Sequence, residues 1–353
     1  MAYTTIDDPS AYFQTKLYTG NGTTGQSITN DGNSDLQPDW IWFKRRDSTG
    51  HNRSFDSTRG VTKRMQQNES NAESTNTGKL TSFDSDGFTL GTDSADIDIN
   101  QSSSTMVAWQ WKANGGTRTT NTESGDNPAG GYQANTTAGF SIVDYVGTGG
   151  AGTKAHGLGA IPEVVIIKNR DRSAQWAVYH KDIGETKFLE LSTTAAESTD
   201  AMFNDTAPTS TVFSVGGSSN TTNADGENLI AYCFKAIQGY SKFGSYKGNG
   251  NTDGRFVYLG FKPAYILVKA TDVDEWRIYD HKRANDFNVI NVRLKAHTNA
   301  AESQDDNECD FLSNGVKWRS SSGGVNSDGQ EYIYLAFAEH PFVSSKGVPV
   351  TAR

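Results

Sequence analysis

Three glutamates stand at corresponding places along the chain, each inside Ala-Glu-Ser: Glu73, Glu197 and Glu302. One carboxylate per copy could act as a general acid. Glycoside hydrolysis, however, needs a second carboxyl at a defined distance. The corresponding position after the preceding apolar strand holds Asp56, His180 and Asp280, so no second acid recurs. A fold-determining turn is needed in every copy, whereas a catalytic site seldom is, and the three glutamates read as structural. Gly-Thr-Gly-Gly-Ala-Gly at 147–152 satisfies GxGxxG, but the dinucleotide fingerprint needs a helix after it, and His156-Gly-Leu-Gly-Ala-Ile-Pro162 starts none. The acids at Asp93, Asp96 and Asp98, at Asp84 and Asp86, and at Asp305, Asp306 and Glu308 do not space like a calcium loop. The six histidines make no HxxxH or HExxH pattern, no GxSxG elbow exists, and Cys233 and Cys309 lie in no metal-ligand spacing and read as buried thiols. No catalytic residue, metal site or cofactor is therefore assigned. Tryptophan is the remaining handle. Trp40, Trp42, Trp176, Trp276 and Trp318 could offer flat faces to sugars, though strand tryptophans usually pack in cores. Trp176 and Trp276, at corresponding places after charged turns, are the candidates for a recurring glycan surface.

These residues sit in a frame of four landmarks that recurs three times in one order. Tyr-x-Gly-x-Gly begins at Tyr18, Tyr145 and Tyr246. A Pro six residues before a Lys brackets a mostly apolar stretch: Pro38–Lys44, Pro162–Lys168 and Pro263–Lys269. Ala-Glu-Ser follows, and then a closing apolar strand at 106–113, 229–236 and 332–339. Tyr to Pro spans 20, 17 and 17 residues, and Pro to the Ala of Ala-Glu-Ser spans 34, 34 and 38. The Pro-to-Lys stretch predicts a strand starting at Pro, buried on both faces or contacting another domain with its second face. The closing strand alternates, with Trp109 and Trp111, Tyr232 and Phe234, and Leu335 and Phe337 on one face, as a half-buried strand does. Helical periodicity is nowhere sustained; Arg59 to Glu73 has room for one short helix. The pattern predicts an all-β chain of three tandem antiparallel β-sandwich, jelly-roll-like repeats: 1–113, 139–238 and 239–345. Residues 114–138 read as a flexible linker or surface loop and 346–353 as a tail. The three could form a rod or a pseudo-threefold cluster.

Composition agrees with many short strands. Charged residues are 21%, Gly numbers 36, and 7 Trp, 14 Tyr and 17 Phe separate the chain from low-complexity disorder. The net charge of −9, with no basic stripe, argues against nucleic-acid binding. No apolar run is long enough to insert in a membrane, and MAYTTIDDPS has neither the basic nor the apolar region of a signal peptide, so synthesis in a host cytoplasm is expected.

Leu36-Gln-Pro-Asp-Trp-Ile-Trp-Phe-Lys44, Phe55-Asp-Ser-Thr-Arg-Gly-Val-Thr62, Asn71-Ala-Glu-Ser74, Phe83-Asp-Ser-Asp-Gly-Phe-Thr-Leu-Gly91 and Val107-Ala-Trp-Gln-Trp-Lys112 together resemble a repeat unit of tailed-bacteriophage virion proteins, especially marine and cyanobacterial ones, often labelled tail-fibre-like. The opening MAYTTIDDPSAYFQT is similar to theirs. His180-Lys-Asp and Asp280-His-Lys replace the Asp-Ser-x-Arg-Gly part in the later copies. The resemblance implies a non-enzymatic virion protein exposed on tail or capsid. Its expected role is a tail-fibre or adhesin-type attachment and assembly module, with capsid decoration or a head fibre as the alternative and a glycan depolymerase as a second. It implies other virion proteins as partners, a homo-oligomer, with a trimer as the guess, and a host surface glycan or receptor.

Overall fold

The computed structural model describes residues 2–92, 99–217, 219–284 and 286–350. It is almost entirely β: antiparallel sheets, three single-turn 3-10 helices and one four-residue α-helix at Gly323–Asn326. Each sequence repeat builds a sheet in one strand order. An opening strand (Phe13–Thr19, Phe140–Val146, Ser241–Lys247) pairs with the closing strand (Thr105–Trp111, Asn228–Phe234, Glu331–Pro341). The closing strand pairs with the Lys strand (Trp40–Arg45, Val164–Asn169, Phe261–Ala270), and that with a following strand (Arg53–Asp56, Ala177–His180, Trp276–Asp280). In the first two repeats the Lys strand begins two residues after its Pro. In the third it begins earlier, at Phe261, and Pro263 lies within it at a register shift, where its missing N–H interrupts the ladder.

Period-two alternation decides what each face meets. On the Lys strands Ile41 and Phe43, Val165 and Ile167, and Ile266 and Val268 point outward, each pair into the core of its own repeat. In the first repeat that core is closed by a second layer, Gln26–Ile28, Leu80–Asp84 and Gly87–Leu90. Trp40 and Trp42, Val164 and Ile166, and Tyr265 and Leu267 point the other way, into one core common to all three repeats. The bulky faces of the closing strands join them there, so these strands are buried on both faces and not half-buried. Trp111, Phe234 and Phe337, equivalent in sequence, meet at the centre: Phe337 has ring centroids 5.7 Å from Trp111 and 5.8 Å from Phe234. Trp40 stacks on Tyr232 across the boundary between first and second repeats, 4.3 Å between centroids. Each buried ring removes on the order of 150–250 Å² from water, a gross gain of about 4–6 kcal/mol. The Pro-to-Lys strands are apolar throughout because they are shared between two cores, and the repeats form a cluster and not a rod.

Two further expectations are corrected. Residues 114–138 are not a flexible linker or loop: Thr119–Asn121 and Gly130–Asn135 are strands that extend the second sheet beyond its opening strand. Their Gly, Thr and Asn side chains build little core, but backbone pairing needs none, and the buried Gln133 amide fastens the segment to Ser57 Oγ and Thr58 Oγ1 of the first repeat at 2.8 and 2.6 Å. Arg59 to Glu73 holds no helix but turns and a two-residue strand, Lys63–Arg64.

The shared core contains a size exchange. Trp42 stands where the other repeats have Ile166 and Leu267, and Asn52 where they have Trp176 and Trp276. Trp42 Nε1 donates to Asn52 Oδ1 at 2.9 Å, so the indole fills the room its neighbour leaves. Trp42→Ile should cost about 3 kcal/mol through a cavity, and Asn52→Trp should overpack by about 1–3 kcal/mol. The double substitution is expected to cost about 1–3 kcal/mol less than the sum, as urea unfolding of the four proteins would measure.

Candidate functional site

The recurring residues converge at three seams, where each repeat meets the next and the third meets the first. At every seam the N–H of the Ala-Glu-Ser glutamate donates to a carbonyl two residues past the Lys of the neighbour's Lys strand: Glu73 to Arg170 at 2.7 Å, Glu197 to Thr271 at 2.7 Å and Glu302 to Arg46 at 2.9 Å. A second backbone bond returns from the same loop to the residue three before the glutamate: Ala174 to Ser70, Asp274 to Thr194 and Gly50 to Asn299, at 2.9, 3.0 and 2.8 Å. A side-chain donor adds a third. Trp176 Nε1 reaches the Gln66 carbonyl and Trp276 Nε1 the Glu190 carbonyl, both at 2.8 Å, while Asn52 Nδ2 reaches the carbonyls of Lys295, Ala296 and Thr298.

Lys44, Lys168 and Lys269 hold the loops that make these bonds. All three are fully buried, and their ammonium groups donate to loop carbonyls: Lys44 to Gly50, Lys168 to Asn169 and Arg172, Lys269 to Ala270 and Asp272. Burial pushes Lys168 and Lys269 down to about 8. Pro38, Pro162 and Pro263 are buried at or near the other end of the same strands.

The charged part of the site is unequal. At the first seam Asp56 accepts from Tyr232 Oη of the second repeat at 2.7 Å and pairs with Arg59 at 2.5 Å. Arg59 also reaches Glu73, which takes a two-pronged contact, 2.9 Å each, from Arg170. The third-to-first seam repeats this: Asp280 accepts from Trp109 Nε1 at 3.0 Å and pairs with Arg283, Arg283 reaches Glu302, and Arg46 grips Glu302 with both prongs. Burial works to raise the Glu73 carboxyl, but Arg170 and Arg59 outweigh it and hold it below the usual carboxylate range. Burial likewise opposes the Arg59 charge, and Asp56, Tyr232 and Glu73 more than restore it. The second-to-third seam has none of this. Leu335 replaces Tyr232 and Trp109 and offers no donor; His180 replaces the aspartate and lies 3.4 Å from the Tyr334 carbonyl; Ile183 replaces the arginine, Thr271 the second arginine, and Glu197 pairs with Lys187. An aspartate facing Leu335 would be a buried charge without a partner, a cost of several kcal/mol.

Glu73, Glu197 and Glu302 are thus brought to equivalent places, each bonding across a seam through its N–H, and the carboxylates of Glu73 and Glu302 join the repeats as well. Trp176 and Trp276, 0% and 1% exposed, have no face to offer a sugar; their rings lie in the shared core and their N–H groups in the seams, which corrects the glycan-surface expectation. The glycines at 147–152 belong to a turn found in each repeat. Tyr18, Tyr145 and Tyr246 donate to the carbonyls of Ile99, Thr222 and Val325, each at 2.6 Å. A Cβ on Gly20, Gly147 or Gly248 would lie 2.3, 2.1 or 2.1 Å from a backbone carbonyl oxygen, and Gly22, Gly149 and Gly250 have φ of +74°, +70° and +64°. The turn closes on a buried asparagine, Asn100, Asn223 or Asn326, whose side-chain oxygen accepts the N–H of Asn21, Thr148 or Asn249 at 3.0 Å. Sequence reasoning missed this landmark, although each asparagine stands eight residues before Ala108, Ala231 or Tyr334. It also missed that Arg283 follows Asp280 at the spacing by which Arg59 follows Asp56, so the Asp-x-x-Arg element is not confined to the first repeat.

Asp84 and Asp86 accept from Ser82, Thr89 and the Leu36 N–H. Asp93, Asp96 and Asp98 lie outside the described residues, as do the side chains of Asp305 and Asp306. Among the described residues no group of three His, Cys, Asp or Glu is disposed to hold a metal ion. Cys233 and Cys309 are buried and unpaired with each other, and burial pushes both thiols up. A cavity of about 150 Å³ between the first and third repeats holds His281 3.0 Å from Glu339. Burial works to raise the Glu339 carboxyl, but His281 and Lys262 hold it down to about 2. That volume is about half what the smallest ligand sites need.

The chain belongs to the DUF7483 family. The family's model, described as a domain of unknown function, matches residues 8–341 and runs through all three repeats as one unit. No curated protein and no solved structure matches the chain. Among the described residues no helix is long and apolar enough to cross a membrane.

The neutral seam should make stability pH-dependent. Burial pushes His180 down to about 4, below its ordinary 6.5. Between those values the unfolded chain binds a proton the folded chain refuses, so stability falls as pH falls through this window. His156 and His297, also lowered by burial, add to the slope. His180→Gln keeps a donor toward Tyr334 and removes one titrating group. The loss of unfolding free energy from pH 6.5 to 4.5, followed by urea titration, should shrink by about 1.4 kcal/mol per pH unit at most.

Proposed function

We propose that this protein is a non-enzymatic structural component of a tailed-phage virion, an attachment and assembly module with other virion proteins as its partners. The observation that carries the reading is where the recurrent polar residues go. In an enzyme or a multivalent lectin, recurring side chains converge on a cleft. Here the ammonium groups of Lys44, Lys168 and Lys269 hold loops, the carboxylates of Glu73 and Glu302 are gripped by arginines across seams, and Glu197 pairs with Lys187 of its own repeat while its N–H crosses the seam. Such a unit resists deformation and presents its outer strands and turns. A receptor or glycan would then be met by those outer elements and not by Trp176 or Trp276.

The tail-fibre or adhesin role is retained. The capsid-decoration reading gains from one observation: the repeats close on a single core instead of extending as a stem. One chain thereby supplies the three-way arrangement a homotrimer would supply, and this suits a compact cap on a particle surface.

Electron cryomicroscopy of the intact particle tests the proposal. Density for this fold on the tail or over the head shell is the expected result, and its position chooses between the two roles. A particle lacking the protein, together with shortening of host surface polysaccharide by the purified chain, would replace the structural reading with the depolymerase one.

A further inference from the structure

The second repeat shows how the flank of one of these sheets is covered. The outer edge of its opening strand pairs with Gly130–Asn135, antiparallel, from Phe140 opposite Asn135 to Tyr145 opposite Gly130. The chain leading into that strand lies on the neighbouring strand Gly152–Ala155: Asn127 Oδ1 accepts the Thr153 N–H at 2.8 Å, and Glu123 Oε1 accepts the Ala155 N–H at 3.2 Å.

Among the described residues no strand is added to the same flank of the third repeat; the N-terminal segment touches one end of it, where Tyr3 Oη donates to the Gly260 carbonyl at 2.8 Å and lies 3.3 Å from Tyr258 Oη, and Thr4 Oγ1 donates to the Gln238 carbonyl at 2.7 Å. Its opening strand, Ser241–Lys247, ends the sheet on one side, and Phe256–Tyr258, the counterpart of Gly152–Ala155, ends it on the other. The Ala338 N–H bonds the Tyr240 carbonyl and the Gly248 N–H the Gln330 carbonyl, so Phe243 and Ser245 turn their backbone groups outward. Among the described residues those groups bond no other backbone. Side chains bridge the gap: Lys242 Nζ donates to the Tyr258 carbonyl at 2.7 Å and Arg255 Nε to the Lys247 carbonyl at 3.0 Å. Phe256 and Tyr258 are 43% and 48% exposed here, where the first repeat has Ser27 and Thr29. An open edge lined by exposed aromatics is a template for another strand.

We propose that the edge Ser241–Lys247 is a docking site for an extended segment of another polypeptide, which adds as an antiparallel strand and covers Phe256 and Tyr258. The internal precedent fixes geometry and chemistry. The segment pairs opposite Phe243 and Ser245 as Gln133 and Gly131 pair opposite Ile142 and Asp144. Lys242, Lys247 and Arg255 favour acidic residues ahead of the strand, where the second repeat's own cover carries Glu123 and Asp126. The site does not depend on where in a particle the protein resides, so it stands or falls separately from that assignment.

The test uses the full chain and a labelled synthetic peptide with the sequence of residues 119–135. Fluorescence anisotropy should show saturable binding, and hydrogen exchange at Phe243 and Ser245 should slow. Phe256→Ser with Lys247→Glu, both at exposed positions, should weaken binding at least about tenfold with the melting temperature unchanged. A peptide carrying Gly131→Pro and Gln133→Pro, which lacks the two N–H groups facing the edge, should not bind. Absence of saturable binding, or binding indifferent to both pairs of changes, would overturn the proposal.

Discussion

The double burial of the Lys strands is the constraint on which the rest of the structure depends. A strand apolar on one face can belong to a free-standing sandwich. A strand apolar on both, like Trp40–Lys44 or Tyr265–Lys269, must find a second partner. Here the second partner is the same strand of the other two repeats, and the central rings of Trp111, Phe234 and Phe337 are where the three solutions meet. The loops at the strand ends are then forced together, and their backbone groups must be satisfied across the boundaries. Each seam does this with the same two backbone bonds, and the buried lysines keep the donating and accepting loops in shape.

Within that frame the seams have diverged as coupled sets. Where the neighbour supplies a donor on its closing strand, Tyr232 or Trp109, the facing residue is aspartate, an arginine neutralises it, and a glutamate and a second arginine complete a balanced group of four charges. Where the neighbour supplies Leu335, the aspartate becomes His180, the first arginine Ile183 and the second Thr271. Loss of the first arginine alone would leave the buried aspartate without its counter-charge, so aspartate and arginine must change together. The pairing of Trp42 with Asn52 is the apolar version of the same coupling.

Much of the fold was legible. Alternation placed the closing strands and their bulky faces, the Pro-to-Lys stretches located the central strands, and the recurring spacing anticipated the strand order that three sheets share. The sequence left open whether the second apolar face meant a sandwich interior or a domain contact, because both produce the same unbroken apolar run. Residues 114–138 were misread because Gly, Asn and Thr report poor core-building, while a strand at a sheet edge is held by its backbone. Glu73 and Trp176 carried a clear signal of recurrence, but recurrence does not say whether a side chain faces a ligand or a neighbouring copy. Burial decided that, and burial across a seam depends on contacts between residues about 100 positions apart. Asn100, Asn223 and Asn326 were findable by spacing alone; they escaped notice because asparagine is common in the turns of this chain.

Native-state hydrogen exchange at the amides of Glu73, Glu197 and Glu302 tests the shared core most directly, since each donates across a different seam. If the three repeats form one cooperative unit, all three amides will exchange with a common free energy equal to that of global unfolding. An amide that exchanges at a clearly lower free energy while the interior strands of its own repeat stay protected would show the repeats to be separate bodies in contact, and would contradict the shared core.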